Sequence, residues 1–121
     1  ISYTVTLSDG LDHTWFADEP AELGGANEGP TPMRMLLGSL GACTAITLKM
    51  YAARKGWPLQ EVKVQLSLKA DGATGGQDIQ RHITLQGELD DEQRIRLLQI
   101  ANACPVHKLL TGEVRIKSEL V

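Results

Sequence analysis

The sequence predicts an α+β domain in the order ββ-α-ββ-α-β, and three observations predict it. Apolar and polar residues alternate with period two near the start, in the middle and at the end of the chain. A long segment without charge in its middle lies between a Thr-Pro start signal and a Lys-Gly stop signal. An Asp-x-x-Gln pattern opens a second segment of helical spacing.

Tyr3, Val5 and Leu7 alternate with Thr4, Thr6 and Ser8, and Asp9-Gly10 supplies a turn to a second short strand around His13 to Ala17. The chain therefore opens as a β-hairpin. Asp18 to Pro32 is rich in glycine, proline and acidic residues and reads as an ordered, irregular loop. Thr31 is the expected N-cap and Pro32 the first residue of a helix that runs to Lys55, with Gly56 at C′. Its roughly 23 residues span about 35 Å at about 1.5 Å each.

A helix apolar on every face must be buried on every face, and one further helix and about five strands offer too little cover. Gly38, Ala42 and Ala45, with Gly41 beside them, form a strip of small side chains. Each interior glycine costs about 1 kcal/mol of helix stability relative to alanine, so two of them imply that close approach of a neighbour returns the loss. The expected assembly is a homodimer with this long buried helix central.

Beyond Trp57-Pro58, residues Val62, Val64, Leu66 and Leu68 alternate with Lys63, Gln65, Ser67 and Lys69. This is a strand with one wet face. A glycine-rich turn, Asp71 to Gln77, leads to its antiparallel partner from about Ile79 to Gly87. Asp90 with Gln93 forms a capping box for a helix through Ile95, Leu97, Leu98, Ile100 and Ala101, which Pro105 must interrupt. Val114, Ile116 and Leu120 alternate with Glu113, Arg115, Lys117 and Glu119 as a final strand.

The 121 residues suit a single domain, 1–121, able to bury roughly two-thirds of its unfolded surface. Hydrophobic residues at 42% and charged residues at 22% exclude a disordered or disulfide-dense chain. The longest uncharged stretch, Met35 to Leu48, has 14 residues, too few to cross a bilayer, so no membrane partner is expected. A net charge of −3 and only five aromatic residues disfavour nucleic acid, which demands phosphate attraction and stacking surface. No succession of charged, apolar and cleavage regions follows Ile1, and the expected location is cytoplasmic.

Two cysteines stand 61 positions apart, and in a reducing compartment they are either packing residues or reactive thiols rather than a structural disulfide. Cys43 lies in the middle of the long helix, where a small buried hydrophobe and a nucleophile are both consistent with its position. Cys104 directly precedes Pro105. If Pro105 begins a new short helix, Cys104 is its N-cap, where unpaired backbone N–H groups favour a thiolate, with His107 and Lys108 within a turn to add positive charge. A helix-boundary residue without chemistry fits the same spacing. Cys104 and His107 have a spacing a metal accepts, but two ligands are too few, and Cys43, His13 and His82 complete no cluster, so no metal or other cofactor is expected.

The segment Gly29-Pro30-Thr31-Pro32 through Gly41-Ala42-Cys43-Thr44, followed about sixty residues later by Ala103-Cys104-Pro105-Val106-His107, resembles the OsmC/Ohr family of thiol-dependent hydroperoxide reductases. Asp18-Glu19-Pro20, Gly24-Gly25 and Tyr51 to Leu59 are similar to an OsmC-like subgroup that sometimes forms the C-terminal part of a larger hydrolase fusion. The likeness covers nearly the whole chain. It implies an OsmC-like intertwined homodimer, with two mixed sheets around central helices and active sites near the subunit interface. It also implies that Cys43 attacks an organic hydroperoxide, that Cys104 resolves the resulting sulfenic acid as a disulfide, and that an external dithiol, lipoyl-type in better-known relatives, restores the pair.

The better-known peroxidases of that family use an arginine from the N-terminal region and a carboxylate in the first turn of the central helix. This chain has no arginine or lysine before Arg34, and Met33 and Arg34 stand where the carboxylate is expected. Arg34 is about 13 Å from Cys43 along a straight helix and on its opposite side, so it serves either a partner's thiol, solvent or Glu28. Two other function classes compete with the peroxidase: a dithiol redox protein or sensor with little turnover, and a non-enzymatic dimeric binding domain.

Overall fold

In the computed structural model, which describes residues 3–121, the chain divides into two compact units, Ile1–Gly38 and Ser39–Val121. The long helix α1, Pro32–Lys55, crosses that division.

The first unit is built on an antiparallel hairpin, β1 (Val5–Ser8) with β2 (Thr14–Ala17), in the register Val5 opposite Ala17 and Ser8 opposite Thr14. The irregular loop that follows contains a single 3-10 turn, Ala21–Leu23. Asp18, only 2% exposed, organises it. Its carboxylate accepts from the Thr4 hydroxyl at 2.7 Å and from the backbone N–H groups of Glu19, Glu28 and Ala26 at 2.7, 3.1 and 3.3 Å. Four donors on one carboxylate hold the ion in a site that would otherwise be costly for a charge.

Both ends of α1 carry the expected signals. The Thr31 hydroxyl accepts from the Arg34 N–H at 3.2 Å, with Pro32 at the first helical position. At the other end Gly56 adopts φ +70°, and the N–H groups of Gly56 and Trp57 bond to the carbonyls of Ala53 and Ala52, the paired bonds of a Schellman motif.

The second unit pairs β3 (Leu59–Ala70) with β4 (Gln77–Gly87) in a long antiparallel hairpin, Val64 opposite Ile83 and Leu66 opposite Arg81. Helix α2 (Asp91–Ala101) opens with the complete Asp90/Gln93 capping box, and α3 (Pro105–Thr111) follows after three residues. Leu48, Leu97 and Ala101 form the buried centre, surrounded by Tyr51, Trp57, Val62, Ile83, Leu85 and Ile100.

The α+β class holds, with a departure in the order of elements. The order is ββ-α-ββ-α-α, because the segment expected as a final strand, residues 113–121, forms no strand and is exposed throughout. Alternation marks a segment fit for pairing, but a strand also needs a neighbour's backbone N–H and C=O groups, and this segment has none here. The long helix is buried only along Leu40, Thr44, Leu48 and Ala52, while Ile46 and Met50 are more than half exposed, so one chain does not cover it. By length and composition α1 is also apolar enough to cross a membrane, with mean hydropathy 1.3 in its most apolar window. The uncharged stretch is shorter because it lies between Arg34 and Lys49, and α1 also carries Arg54 and Lys55 in its last turn.

Candidate functional site

The break between α2 and α3 makes the site. The α2 ladder ends at Ala101, Asn102 caps it through its N–H, and Pro105 then restarts the helix at its first position. Cys104 is left as the N-cap of α3, its Sγ accepting from the His107 N–H at 3.3 Å, and it is fully buried. Cys43, on α1, is half-buried. Both thiols are free, and the Cys43 side chain is among the groups that act on the Cys104 thiol.

Burial by itself pushes the Cys104 thiol up, because a thiolate loses hydration there. Hydrogen bonds from the His107 backbone, the Cys43 and Thr44 side chains and the Val106 backbone more than offset it and hold the thiol below its ordinary value.

Thr44, one residue beyond Cys43 and fully buried, donates its hydroxyl to the Leu40 carbonyl at 2.7 Å and accepts from Arg81 Nη1 at 3.1 Å. Arg81 Nη1 also reaches the Ala101 carbonyl at 3.4 Å, and Nη2 reaches Asn102 Oδ1 at 2.9 Å. All three acceptors are neutral. Among the described residues the ion pairs are His13–Asp9 and Arg115–Glu113, so the Arg81 charge has no carboxylate against it. Arg81 and His107 line a cavity of about 360 Å³ whose apolar walls include Leu40, Ile79, Leu98 and Leu110.

His107 differs from its expected part. Burial, and next the Arg81 charge, lower its pKa, so the imidazole is neutral near pH 7. What it contributes to Cys104 is a backbone N–H rather than a positive charge. Arg34 makes no ion pair with Glu28; both line a separate cavity in the first unit with Pro20, Asn27 and Thr31.

Residues 25–119 match the family of OsmC-like proteins. The chain belongs to the OsmC-like family. Among curated protein sequences, none matches it. Several solved structures share the OsmC-like fold. An OsmC-like protein from Mycoplasma pneumoniae superposes with TM-score 0.74 at 20% identity, covering 90% of this chain and 79% of that one. The organic hydroperoxide resistance protein OhrB of Bacillus subtilis gives TM-score 0.59 at 22% identity, covering 97% and 95%. An organic hydroperoxide resistance protein OsmC from Legionella pneumophila gives TM-score 0.61 at 20% identity, covering 93% and 90%.

Sequence reasoning singled out both cysteines and missed the contact of Arg81 with Thr44, the neighbour of Cys43. A signal for Arg81 was present. On β4 the inward phase reads Ile79, Arg81, Ile83, Leu85, and an arginine in an apolar alternation has to find buried acceptors or leave the sheet.

Proposed function

We propose that this OsmC-like chain is a cysteine-based hydroperoxide reductase acting on organic hydroperoxides. The observation that carries the reading is the buried Cys104 at the N-cap of α3, whose Sγ accepts from the N–H of His107, a residue that also lines a largely apolar cavity. Cys43 is the more accessible of the two and is assigned the attack. Its thiolate sulfur bonds to the distal peroxide oxygen, the O–O bond breaks, and the alkoxide leaves as an alcohol after taking a proton. Cys43 is then a sulfenic acid. The Cys104 thiolate attacks that sulfur, the disulfide forms, and hydroxide leaves as water after protonation. A dithiol, lipoyl-type by family likeness, returns both thiols and is itself oxidised to a disulfide.

The working unit in this proposal is a homodimer, because Ile46 and Met50 on α1 leave an apolar face bare that a second copy's helix suits. Purified protein with a dithiol consumes cumene hydroperoxide, and Cys43→Ser abolishes the consumption. Reversible disulfide formation without appreciable turnover would instead support a dithiol sensor, a reading favoured by the complete burial of Cys104.

A further inference from the structure

Arg81 is a half-buried cation with no carboxylate partner among the described residues. Its guanidinium bonds to three neutral acceptors, the Thr44 hydroxyl at 3.1 Å, the Ala101 carbonyl at 3.4 Å and Asn102 Oδ1 at 2.9 Å, which hold the fork in place and leave its charge unmatched. Hydrogen bonds to neutral groups reduce the electrostatic cost of such a charge only in part. An anion reduces it further.

The space beside Arg81 selects which anion. Its volume of about 360 Å³ lies within the range of about 300 to about 1,000 Å³ typical of small-molecule sites. Leu40 from α1, Ile79 from β4, Leu98 from α2 and Leu110 from α3 give it apolar walls. The charged or titratable groups that line it are Arg81 and His107, and no Asp or Glu does so among the described residues. Because His107 is neutral near pH 7, the cavity presents one positive charge among hydrocarbon walls. A monoanion on an apolar chain matches both features. A phosphate dianion would leave a net negative charge in the cavity, and a neutral molecule leaves the cation as it was.

We propose that this cavity is a binding site for an aliphatic carboxylate, whose head group pairs with the Arg81 guanidinium and whose chain lies on Leu40, Ile79, Leu98 and Leu110. A guanidinium has five N–H donors in a planar fork, so Arg81 keeps donors for a carboxylate while holding its three protein acceptors. No covalent step is involved, and the binding is independent of the thiol chemistry proposed above. The other arginines of this unit nearest in the fold are engaged elsewhere: Arg94 on the carbonyls of Leu85 and Gly87, and Arg96 on the Tyr51 hydroxyl and Gln99.

The test uses octanoate as the probe, with octanol as its uncharged counterpart and octylammonium as the opposite charge, each titrated calorimetrically into the intact chain at pH 7. Octanoate binds about tenfold tighter than either, the margin of one charge-assisted contact. Octanol also reports any binding to the bare apolar face of α1, which carries no charge between Arg34 and Lys49. Arg81→Gln removes the margin and brings octanoate to the octanol level. A second readout follows the charge itself. Bound octanoate offsets the Arg81 cation, so the His107 imidazole titration, followed by NMR, moves up toward its ordinary midpoint, and octanol does not raise it. Octanoate binding no tighter than octanol, undiminished binding in folded Arg81→Gln, or a His107 midpoint that octanoate leaves in place overturns the proposal. Should Arg81→Gln fail to fold, Leu98→Glu decides, because Leu98 is 62% exposed and the change sets a like charge on the cavity wall. Octanoate binding weakened about tenfold in that variant sustains the proposal, and wild-type binding overturns it. Octanoate carries no peroxide, so absence of hydroperoxide consumption would remove the peroxidase reading and leave these titrations equally readable.

Discussion

Gly41 on α1 lies so close to Leu66 on β3 that a β-carbon at position 41 would stand 2.9 Å from Leu66 Cδ1. Gly38, one turn earlier, has open space at the same point. The two glycines therefore serve different neighbours. Gly41 lets the helix settle on its own sheet, while a β-carbon at Gly38 would meet no atom within 4 Å beyond its own stretch of helix.

Alanine substitution separates them. Gly38→Ala gains about 1 kcal/mol of helix propensity with nothing to displace. In Gly41→Ala the same gain is opposed by the shift forced on the end of the Leu66 side chain, and the net change is near zero. Urea unfolding of the two variants beside the wild type measures the difference.

The Asp18 carboxylate gives the loop an acid-sensitive clamp. The Thr4 hydroxyl first, and then the backbone N–H groups of Glu19, Glu28 and Ala26, outweigh burial and hold its pKa below the ordinary 3.8. A carboxylate lowered on folding contributes stability above its unfolded value and loses it as pH falls through the folded one. Acid unfolding followed below pH 4 should therefore be less steep in Asp18→Asn, whose stability near neutral pH is lower than wild type.

His107 gives a pH dependence in a different window. Its pKa is lowered from 6.5 by burial and by Arg81, so the unfolded chain binds the proton more readily than the fold does. Stability then rises with pH in this range and falls on acidification from about pH 7 to pH 5. The urea midpoint drops across that interval in the wild type, and the drop is smaller in His107→Gln, which cannot take up the proton.

The bare face of α1 predicts the oligomeric state. Ile46 and Met50 are 57% and 56% exposed in one chain, a cost that a second copy removes. Sedimentation of the wild type gives a dimer, and Ile46→Glu shifts it toward monomer by placing a charge at the contact.

Where the chain is governed by local rules, the sequence was sufficient. The ends of α1 follow from Thr31, Pro32 and Gly56, the start of α2 from Asp90 and Gln93, and the N-cap position of Cys104 from Pro105. The failures lie where a distant partner decides. Residues 113–121 alternate well but meet no strand, and no local rule reports the absence of a neighbour. Arg81 is distant in sequence from Thr44 and Asn102, so its contacts depend on the β3–β4 register and on where α2 ends. The influence of Cys43 on Cys104 has the same character, since it depends on packing across 61 positions of sequence that no local rule reports.

The reduced protein treated with one equivalent of cumene hydroperoxide, digested and mapped by mass spectrometry without reductant, tests the thiol chemistry most directly. A Cys43–Cys104 crosslinked peptide that disappears on adding a dithiol is the predicted result. Recovery of both cysteines as unmodified, separately alkylated thiols after peroxide exposure would contradict it.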